Sequence, residues 1–226
     1  MAPSPPHVCV VAQQWDERMQ ALDGVRFGNL FGSPVLDHHW PESTGLNGQL
    51  REAILVHERA SPGAALTNVG GWHSETGTLG FCGQAGKALV QRIMAMTNEA
   101  TARLYADHDT PVAALDWTLS VWANVSRRGA FNKMHTHPGA TWSGVYYVDS
   151  GDSDPAAEGT AIHLTDPCPT RSGSFFPALT ASNILFKPTP GLMILFPSYM
   201  PHTVMPHNGD GARISIAFNV RKEPFP

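Results

Sequence analysis

At 226 residues the chain is long enough to bury a full hydrophobic core, and one domain is the simplest interpretation of that length. Its net charge of -4 and its 15% of charged residues give no electrostatic reason to expect nucleic acid or an anionic membrane as a partner. No stretch approaches the roughly 18 apolar residues of a membrane span, the first residues lack a secretory signal, and the three cysteines are far apart. We therefore expect a cytoplasmic protein with free thiols.

The first half of the chain is predicted to be mainly helical. A strand and turn are predicted over Val25–Leu36. Leu50 and Ile54 then follow at helical spacing, with Asn47 as a candidate N-cap. A longer helix is predicted from about residue 84 to 106, on an apolar stripe that we interpret as core packing.

From residue 112 onward the apolar period changes to two, which is typical of half-buried strands. The predicted strands, separated by turn-rich segments, cover residues 112–125, 132–137, 142–148, 160–164, 192–196 and 213–220. Several short strands of this kind indicate a sandwich or jelly roll, with the earlier helices packed on its outside. The predicted fold class is therefore mainly β with flanking helices, an α+β arrangement.

Two histidine motifs in the β-rich half have the residue type that often binds metals. His135 and His137 are separated by one residue in a strand pattern, so their side chains are predicted to share a face. His202 follows an apolar strand that ends in Pro197. Taken alone, these patterns leave open whether the histidines are metal ligands or ordinary hydrogen-bonded side chains.

The strand that begins at Arg213 has two chemically different faces. Ile214, Ile216, Phe218 and Val220 form an apolar face, and Arg213, Ser215, Ala217 and Asn219 form a polar one. We therefore expect one face to pack in a core and the other to line a polar pocket. A guanidinium in such a pocket can bind a carboxylate in bidentate fashion.

From Trp122 to Val220 the sequence resembles the 2-oxoglutarate/Fe(II)-dependent oxygenase superfamily, and more narrowly a bacterial and phage branch of it with an HxH...H...R motif. The order and spacing of several motifs carry the resemblance: Trp122-Ala-Asn-Val, Gly129-Ala-Phe-Asn132, His135-Thr-His137-Pro, Ser143-Gly-Val-Tyr-Tyr147, Phe196-Pro-Ser, His202-Thr-Val204 and Arg213-Ile-Ser215-Ile-Ala-Phe-Asn219. The upstream segment Asn68-Val-Gly-Gly-Trp72-His73-Ser74 is similar to the same branch.

The resemblance implies a double-stranded β-helix, which is a cupin-like jelly roll, and the cofactors Fe(II), 2-oxoglutarate and O₂. It implies that His135 and His202 are metal ligands and that Arg213, with Ser215, binds the distal carboxylate of 2-oxoglutarate. The candidates for further hydrogen bonds to 2-oxoglutarate or to the ligands are Asn132, Ser143 and Tyr147. No catalytic residue is expected beyond the ligands of the metal and the co-substrate.

His137 departs from the superfamily pattern, because a carboxylate usually occupies its position. If His137 binds iron, the site has three imidazoles and is one charge unit more positive than the usual triad. Alternatively, His137 lies beside the metal and water takes the third position, or the metal and co-substrate assignment is wrong. Asp149 and Asp152 follow too distantly to be confident substitutes for the missing carboxylate.

The predicted function is an Fe(II)- and 2-oxoglutarate-dependent dioxygenase that hydroxylates an unactivated C–H bond of a small molecule or peptide, releasing succinate and CO₂. The predicted organisation is one oxygenase domain, with residues 1–110 as helical support and residues 111–226 as the double-stranded β-helix core. Trp72, His73 and Asn219 are candidates for contact with the substrate. A homodimer is the default expectation, with no nucleic acid and no membrane as partner.

Two other functions remain open at this level. A metal-dependent cupin enzyme has similar spacing around the histidines, but Thr141 stands where cupins usually have Glu, and Tyr199 where they have Gly. A non-catalytic sensor that binds a metal or a small carboxylate would also be consistent with an incomplete triad.

Overall fold

A computed structural model describes residues 32–104, 116–154, 159–168 and 183–222 of the protein. The elements in chain order are β1 (Leu36–His39), α1 (Thr44–Ala60), β2 (Asn68–Val69), β3 (Trp72–His73), α2 (Gly83–Leu104), β4 (Trp117–Ser126), β5 (Phe131–His135), β6 (Trp142–Asp149), β7 (Ile162–Thr165), β8 (Asn183–Phe186), β9 (Leu192–Pro197), β10 (His202–Val204) and β11 (Arg213–Lys222). The described residues from Ser33 onward form one compact unit. Neither α1 nor α2 is long and apolar enough to cross a membrane.

The strands form two antiparallel sheets that face each other. The larger sheet has six strands in the order β1-β9-β6-β11-β4-β3, and the smaller has five in the order β2-β5-β10-β7-β8. Apolar side chains from the facing sides of both sheets pack together, namely Val145, Tyr147, Ile194, Phe196, Ile162 and Leu164. Facing sheets whose neighbouring strands come from distant parts of the sequence make a jelly roll.

Both helices belong to the core on the outer face of the larger sheet. Their fully buried residues Leu50, Ile54, Leu89 and Ile93 share one hydrophobic core with Ile214, Ile216, Phe218 and Val220 of β11. Burial of these side chains stabilises the layered arrangement by about 25 cal/mol per Å² of apolar surface removed from water. Gly144 permits the close packing, because a Cβ there would collide with the Phe218 ring.

The alternation of β11 confirms the prediction from its sequence. Its apolar residues face the helices, whereas Arg213, Ser215, Ala217 and Asn219 line the space between the sheets. The strand pairs with β4 from Arg213 to Lys222 and with β6 from Ile214 to Val220. Pairing on both sides fixes which side chains lie next to each other in the cavity.

Five short strands of two to four residues each were not predicted, namely β1, β2, β3, β8 and β10, and the predicted segment Val25–Leu36 overlaps β1 only at Leu36. A periodic pattern cannot be recognised over so few residues. The first half of the chain is thus less exclusively helical than predicted, since β1 and β3 join the larger sheet and β2 joins the smaller one.

The helix predictions are confirmed with one correction. Helix α2 covers most of the predicted 84–106 range, and α1 contains the predicted apolar stripe. Asn47, however, is not an N-cap: α1 begins at Thr44, and the Asn47 side chain accepts a hydrogen bond of 2.7 Å from the Tyr146 hydroxyl. The predictions for residues 25–31, 105–106 and 112–115 lie outside the described residues, and the division near residue 110 stays a prediction.

Candidate metal centre and adjoining cavity

Three histidines converge at one point between the sheets. His135 is the last residue of β5 and pairs with His202, the first residue of β10. His137 lies two residues beyond the end of β5, so the predicted strand 132–137 ends early. Its backbone N–H donates to the Ser198 carbonyl at 2.9 Å. One candidate ligand atom from each imidazole lies within 4.8 Å of the other two.

Two of the three imidazoles are oriented by backbone carbonyls. His135 Nδ1 lies 2.7 Å from the Lys133 carbonyl oxygen, and His202 Nδ1 lies 3.0 Å from that of Met200. Because a carbonyl can only accept, each Nδ1 carries the hydrogen, and each Nε2 keeps a lone pair for a metal. In the described part of the chain no hydrogen bond orients the His137 ring, which instead lies tilted against Trp122 at 5.8 Å between centroids.

Burial keeps this cluster uncharged. Desolvation, together with neighbouring His135, lowers the pKa of His137 to about 4 and that of His202 to about 3. The pKa of His135 is also lowered by burial, against an opposing hydrogen bond to Lys133. Neutral imidazole is the form that binds a metal ion.

No described carboxylate takes part in this cluster. Asp149, one of the candidate substitutes, forms an ion pair of 2.8 Å with Arg51, and its Oδ1 accepts a hydrogen bond from the Gly151 backbone. The protein donors that these residues offer to a metal are therefore three nitrogens. This set suits iron, zinc, copper or nickel better than magnesium or calcium.

The histidines open into a cavity of about 270 Å³ between the two sheets. The described residues that line it are Leu66, Thr67, His73, Thr76, Trp122, Asn124, Asn132, His135, Thr136, His137, Gly144, Val145, Tyr147, Ile162, Phe196, His202, Val204, Arg213, Ser215, Ala217 and Asn219. With the imidazoles neutral, Arg213 is the single formal charge in that lining.

Arg213 is a buried cation held by neutral groups. Its side chain is 2% exposed, its Nη1 donates to the Thr160 carbonyl at 3.1 Å, and its Nη2 donates to the Ser126 hydroxyl at 2.8 Å. Its Nε has no hydrogen-bond partner, and none of the ion pairs between described residues includes it. Burial lowers the pKa of Arg213, but a guanidinium stays protonated in proteins, so the uncompensated charge fits an anionic ligand.

Other candidate co-substrate residues line the same cavity as the guanidinium. Ser215 and Tyr147 are both buried cavity residues and face each other in the β11–β6 pairing. Burial raises the pKa of the Tyr147 hydroxyl, an effect that nearby Arg213 opposes, so this group is a neutral hydrogen-bond donor. Asn132 also lines the cavity, with its Nδ2 at 3.4 Å from the Thr67 hydroxyl.

The remaining candidates divide into residues that line the cavity and residues that do not. His73 is buried in the wall and stacks on Trp122, with ring centroids 5.6 Å apart. Asn219 lines the cavity and accepts a hydrogen bond of 2.8 Å from Ser143, its partner in the β11–β6 pairing, which is outside the lining. Trp72 is outside the lining, and its Nε1 donates to the Ser61 carbonyl at 3.0 Å.

Sequence reasoning missed three residues that contact or flank the Arg213 site. Asn124 and Ser126 pair with Ser215 and Arg213 across the β4–β11 ladder. The period-two pattern of β4 puts them on the polar face, but only the pairing register places them beside Arg213. Thr160 contacts Arg213 through its backbone carbonyl, and every residue type has such a carbonyl, so the contact cannot be recognised from the sequence.

The chain is similar to known proteins in part of its sequence and in its fold. Residues 120–219 match a family described as "Putative 2OG-Fe(II) oxygenase". A Pseudomonas putida prolyl-4-hydroxylase aligns with a TM-score of 0.58 and 16% identity over 84% of this chain and 93% of that chain. A Trichoplax adhaerens prolyl hydroxylase, solved with a hypoxia inducible factor peptide fragment, gives 0.56 and 13% over 83% of each chain. The alpha ketoglutarate dependent carbocyclase SnoK of nogalamycin biosynthesis gives 0.54 and 13% over 83% and 79%.

A search of curated proteins found no match. The structural likenesses confirm the predicted double-stranded β-helix with flanking helices. At identities of 10–16% such likenesses show the fold alone. The roles of individual residues therefore have to be argued from the geometry of this cavity.

Proposed function

We propose that this chain, a member of the 2-oxoglutarate/Fe(II) oxygenase superfamily through its match over residues 120–219, hydroxylates an unactivated C–H bond of a small molecule or peptide. One observation carries the proposal: a neutral three-histidine cluster shares a cavity with a buried guanidinium that has no ion-pair partner among the described residues. The superfamily uses Fe(II), 2-oxoglutarate and O₂, and the two features suit the first two of these.

His135 and His202 would hold the iron through Nε2, since their Nδ1 atoms are engaged with backbone carbonyls. His137 would supply the third ligand, in the position where the superfamily usually has a carboxylate. When bound, iron(II), 2-oxoglutarate and O₂ supply the oxidising chemistry, in which the 2-oxo acid leaves as succinate and CO₂.

Arg213 would bind the distal carboxylate of 2-oxoglutarate. The guanidinium has five N–H donors, and Thr160 and Ser126 use two of them, so enough remain for a bidentate contact. The hydroxyls of Ser215 and Tyr147 lie beside it as further donors, and Asn132 lines the same space. We assign Ser143 an indirect role, because it is outside the lining and its hydroxyl hydrogen-bonds the cavity residue Asn219.

The substrate would occupy the part of the cavity that the co-substrate leaves free. His73, stacked on Trp122, and Asn219 are the polar groups proposed to contact it. Trp72 would act from outside the lining by supporting this wall. A similar fold occurs in a hydroxylase solved with a peptide and in a carbocyclase of a small-molecule pathway, so the proposed substrate class includes both.

The test is an anaerobic titration of the Fe(II)-loaded protein with 2-oxoglutarate, followed by its visible metal-to-ligand charge-transfer band. We expect Arg213→Ala to weaken 2-oxoglutarate about 100-fold while sparing iron, because charge-assisted hydrogen bonds contribute about 1.5–3 kcal/mol each. Arg51→Ala is the matched control, since it removes an arginine from a half-exposed ion pair. Equal loss of iron and 2-oxoglutarate in Arg213→Ala would contradict the assigned role.

The same titration separates the competing functions. Tight iron binding without the band on adding 2-oxoglutarate would favour a cupin-type metalloenzyme. Failure to take up iron would favour a non-catalytic carboxylate sensor. Release of succinate when air is admitted would distinguish turnover from binding alone.

A further inference from the structure

We infer that Thr160 is a positioning residue, whose anchored and strained backbone directs its carbonyl at Arg213 and so orients the guanidinium for the distal carboxylate of 2-oxoglutarate. The inference rests on the proposed function of the cavity. It gives a role to a residue that is not itself in the cavity lining.

The backbone of Thr160 is in an unfavourable conformation. Its φ of 76° lies in the left-handed region, where a β-branched side chain is a genuine outlier. The other described non-glycine residues with positive φ are Glu42 and Asp152, neither of which is β-branched. Thr160 is also fully buried. A conformation of this kind persists only where surrounding contacts hold it in place.

The hydroxyl and the backbone of Thr160 supply those contacts. Its Oγ1 donates to Asn208 Oδ1 at 2.9 Å, accepts from the Asn208 backbone N–H at 3.2 Å, and lies 3.2 Å from His207 Nδ1. Its own N–H donates to the Pro206 carbonyl at 3.0 Å. The His207 ring is fixed in turn by a 2.9 Å contact between Nε2 and the Gly211 carbonyl. Hydrogen bonds therefore hold Thr160 against residues 206–208, in the connection between β10 and β11.

This anchoring matters because of what the Thr160 carbonyl does. It accepts from Arg213 Nη1 at 3.1 Å, while the Ser126 hydroxyl accepts from Nη2 at 2.8 Å. Both acceptors are neutral, so they orient the guanidinium without neutralising it. A carboxylate in either place would compete with the co-substrate for the same charge. The Thr160 carbonyl thus holds the Arg213 guanidinium in place and leaves its positive charge available to an anion.

The test compares two 2-oxo acids on the anaerobic Fe(II) protein: 2-oxoglutarate, and pyruvate, which lacks the distal carboxylate. Without its hydroxyl anchor the backbone at residue 160 should relax, so Thr160→Ala should weaken 2-oxoglutarate about 10-fold or more, as loss of a supporting contact typically does. Affinity for pyruvate and for iron should stay unchanged. Thr160→Ser, which keeps the hydroxyl, should restore 2-oxoglutarate affinity.

Three controls sharpen the result. Thr165→Ala removes a threonine hydroxyl that bonds an asparagine, Asn183, at an exposed position, and should change nothing. In an Arg213→Ala background, Thr160→Ala should have no further effect on 2-oxoglutarate. Asn208→Ala removes the side-chain partner of the Thr160 hydroxyl while leaving Thr160 itself unchanged. It should weaken 2-oxoglutarate but not pyruvate, even if Thr160→Ala does not fold.

The outcomes separate this inference from the proposed function. A wild-type protein that binds iron but not 2-oxoglutarate would reject the proposed function itself. Normal 2-oxoglutarate binding in wild type, with equal weakening of both acids in Thr160→Ala, would show a merely structural role for Thr160. The inference would also be rejected if Thr160→Ala did not weaken 2-oxoglutarate, or if Thr160→Ser did not restore its affinity.

Discussion

The two sheets of this protein differ in how firmly they hold the groups they bring to the cavity. In the larger sheet, β4 and β11 are ten residues each and pair along their whole length, and the outward-facing residues of β11 are fully buried beneath the helices. In the smaller sheet the strands have two to five residues, and β8 is exposed over most of its length. The proposed carboxylate clamp thus lies on the sheet with the longest strands and the larger core, and the proposed ligands His135 and His202 lie on the sheet with the shorter strands.

The comparison teaches that the two sites depend on different kinds of support. Arg213 is the first residue of β11, and its strand is stabilised by pairing with β4 along its whole length and by the large core under the helices. His135 and His202 also lie at strand ends, but their strands have only five and three residues, and local carbonyl contacts orient their rings. A metal ion that ties β5, β10 and the turn after β5 together would itself stabilise the smaller sheet.

Truncation of one apolar side chain on each sheet, buried on the larger and exposed on the smaller, should show the largest difference. Phe218→Ala removes a fully buried ring from the larger sheet and should cost about 3–5 kcal/mol in the free energy of unfolding. Met134→Ala removes a side chain that is 59% exposed on β5 and should change that free energy by less than about 0.5 kcal/mol. Urea unfolding measures both. Similar losses in the two variants would break the comparison.

Metal affinity should separate the strand histidines from the turn histidine. His202→Ala should weaken Fe(II) by at least about 100-fold, because loss of a mere supporting contact to a ligand already costs 10–100-fold. His137→Asp should retain iron, since it restores the carboxylate that the superfamily usually has at this position. Equilibrium dialysis with metal analysis gives both values.

His137→Ala completes the metal experiment as its control. If His137 is a ligand, its removal should lower iron affinity while His137→Asp preserves it. Unchanged iron occupancy in His137→Ala would show that this imidazole lies beside the metal without binding it.

Thiol reactivity is a smaller effect that reports on the core under the larger sheet. Burial raises the pKa of Cys82 to about 11, and the residue, which immediately precedes α2, is 6% exposed. A raised thiol pKa means less thiolate at neutral pH, so alkylation should be slower at Cys82 than at half-buried Cys168. Mass spectrometry after timed iodoacetamide treatment measures the two rates. Equal rates in the folded protein, as expected after unfolding, would mean that this part of the core opens readily.

The features that could be predicted are those with a long periodic pattern. The stripe of α2 and the two faces of β11 follow directly from their apolar periods, because each pattern extends over eight or more residues. The early end of β5 was not predicted, since nothing in the spacing of His135 and His137 indicates that the second histidine leaves the strand. The backbone N–H of His137 donates to the Ser198 carbonyl instead.

The same division applies to the site. The histidines and Arg213 could be named because their residue types and spacing match a known motif. Ser126 and Thr160 could not, because one depends on the register between two strands and the other on a backbone carbonyl. Trp72 matched the motif as well, yet its indole nitrogen bonds Ser61 outside the cavity.

By itself the sequence identified candidate residues for metal and co-substrate binding and the face of each long strand that they occupy, because side-chain type and period are local properties. Only the tertiary structure decided that three imidazoles converge without a described carboxylate, and that the guanidinium in the same cavity is held by neutral acceptors. Distances between residues far apart in the chain depend on register, strand ends and turn conformation. These are set by the packing of the whole domain and not by any segment alone.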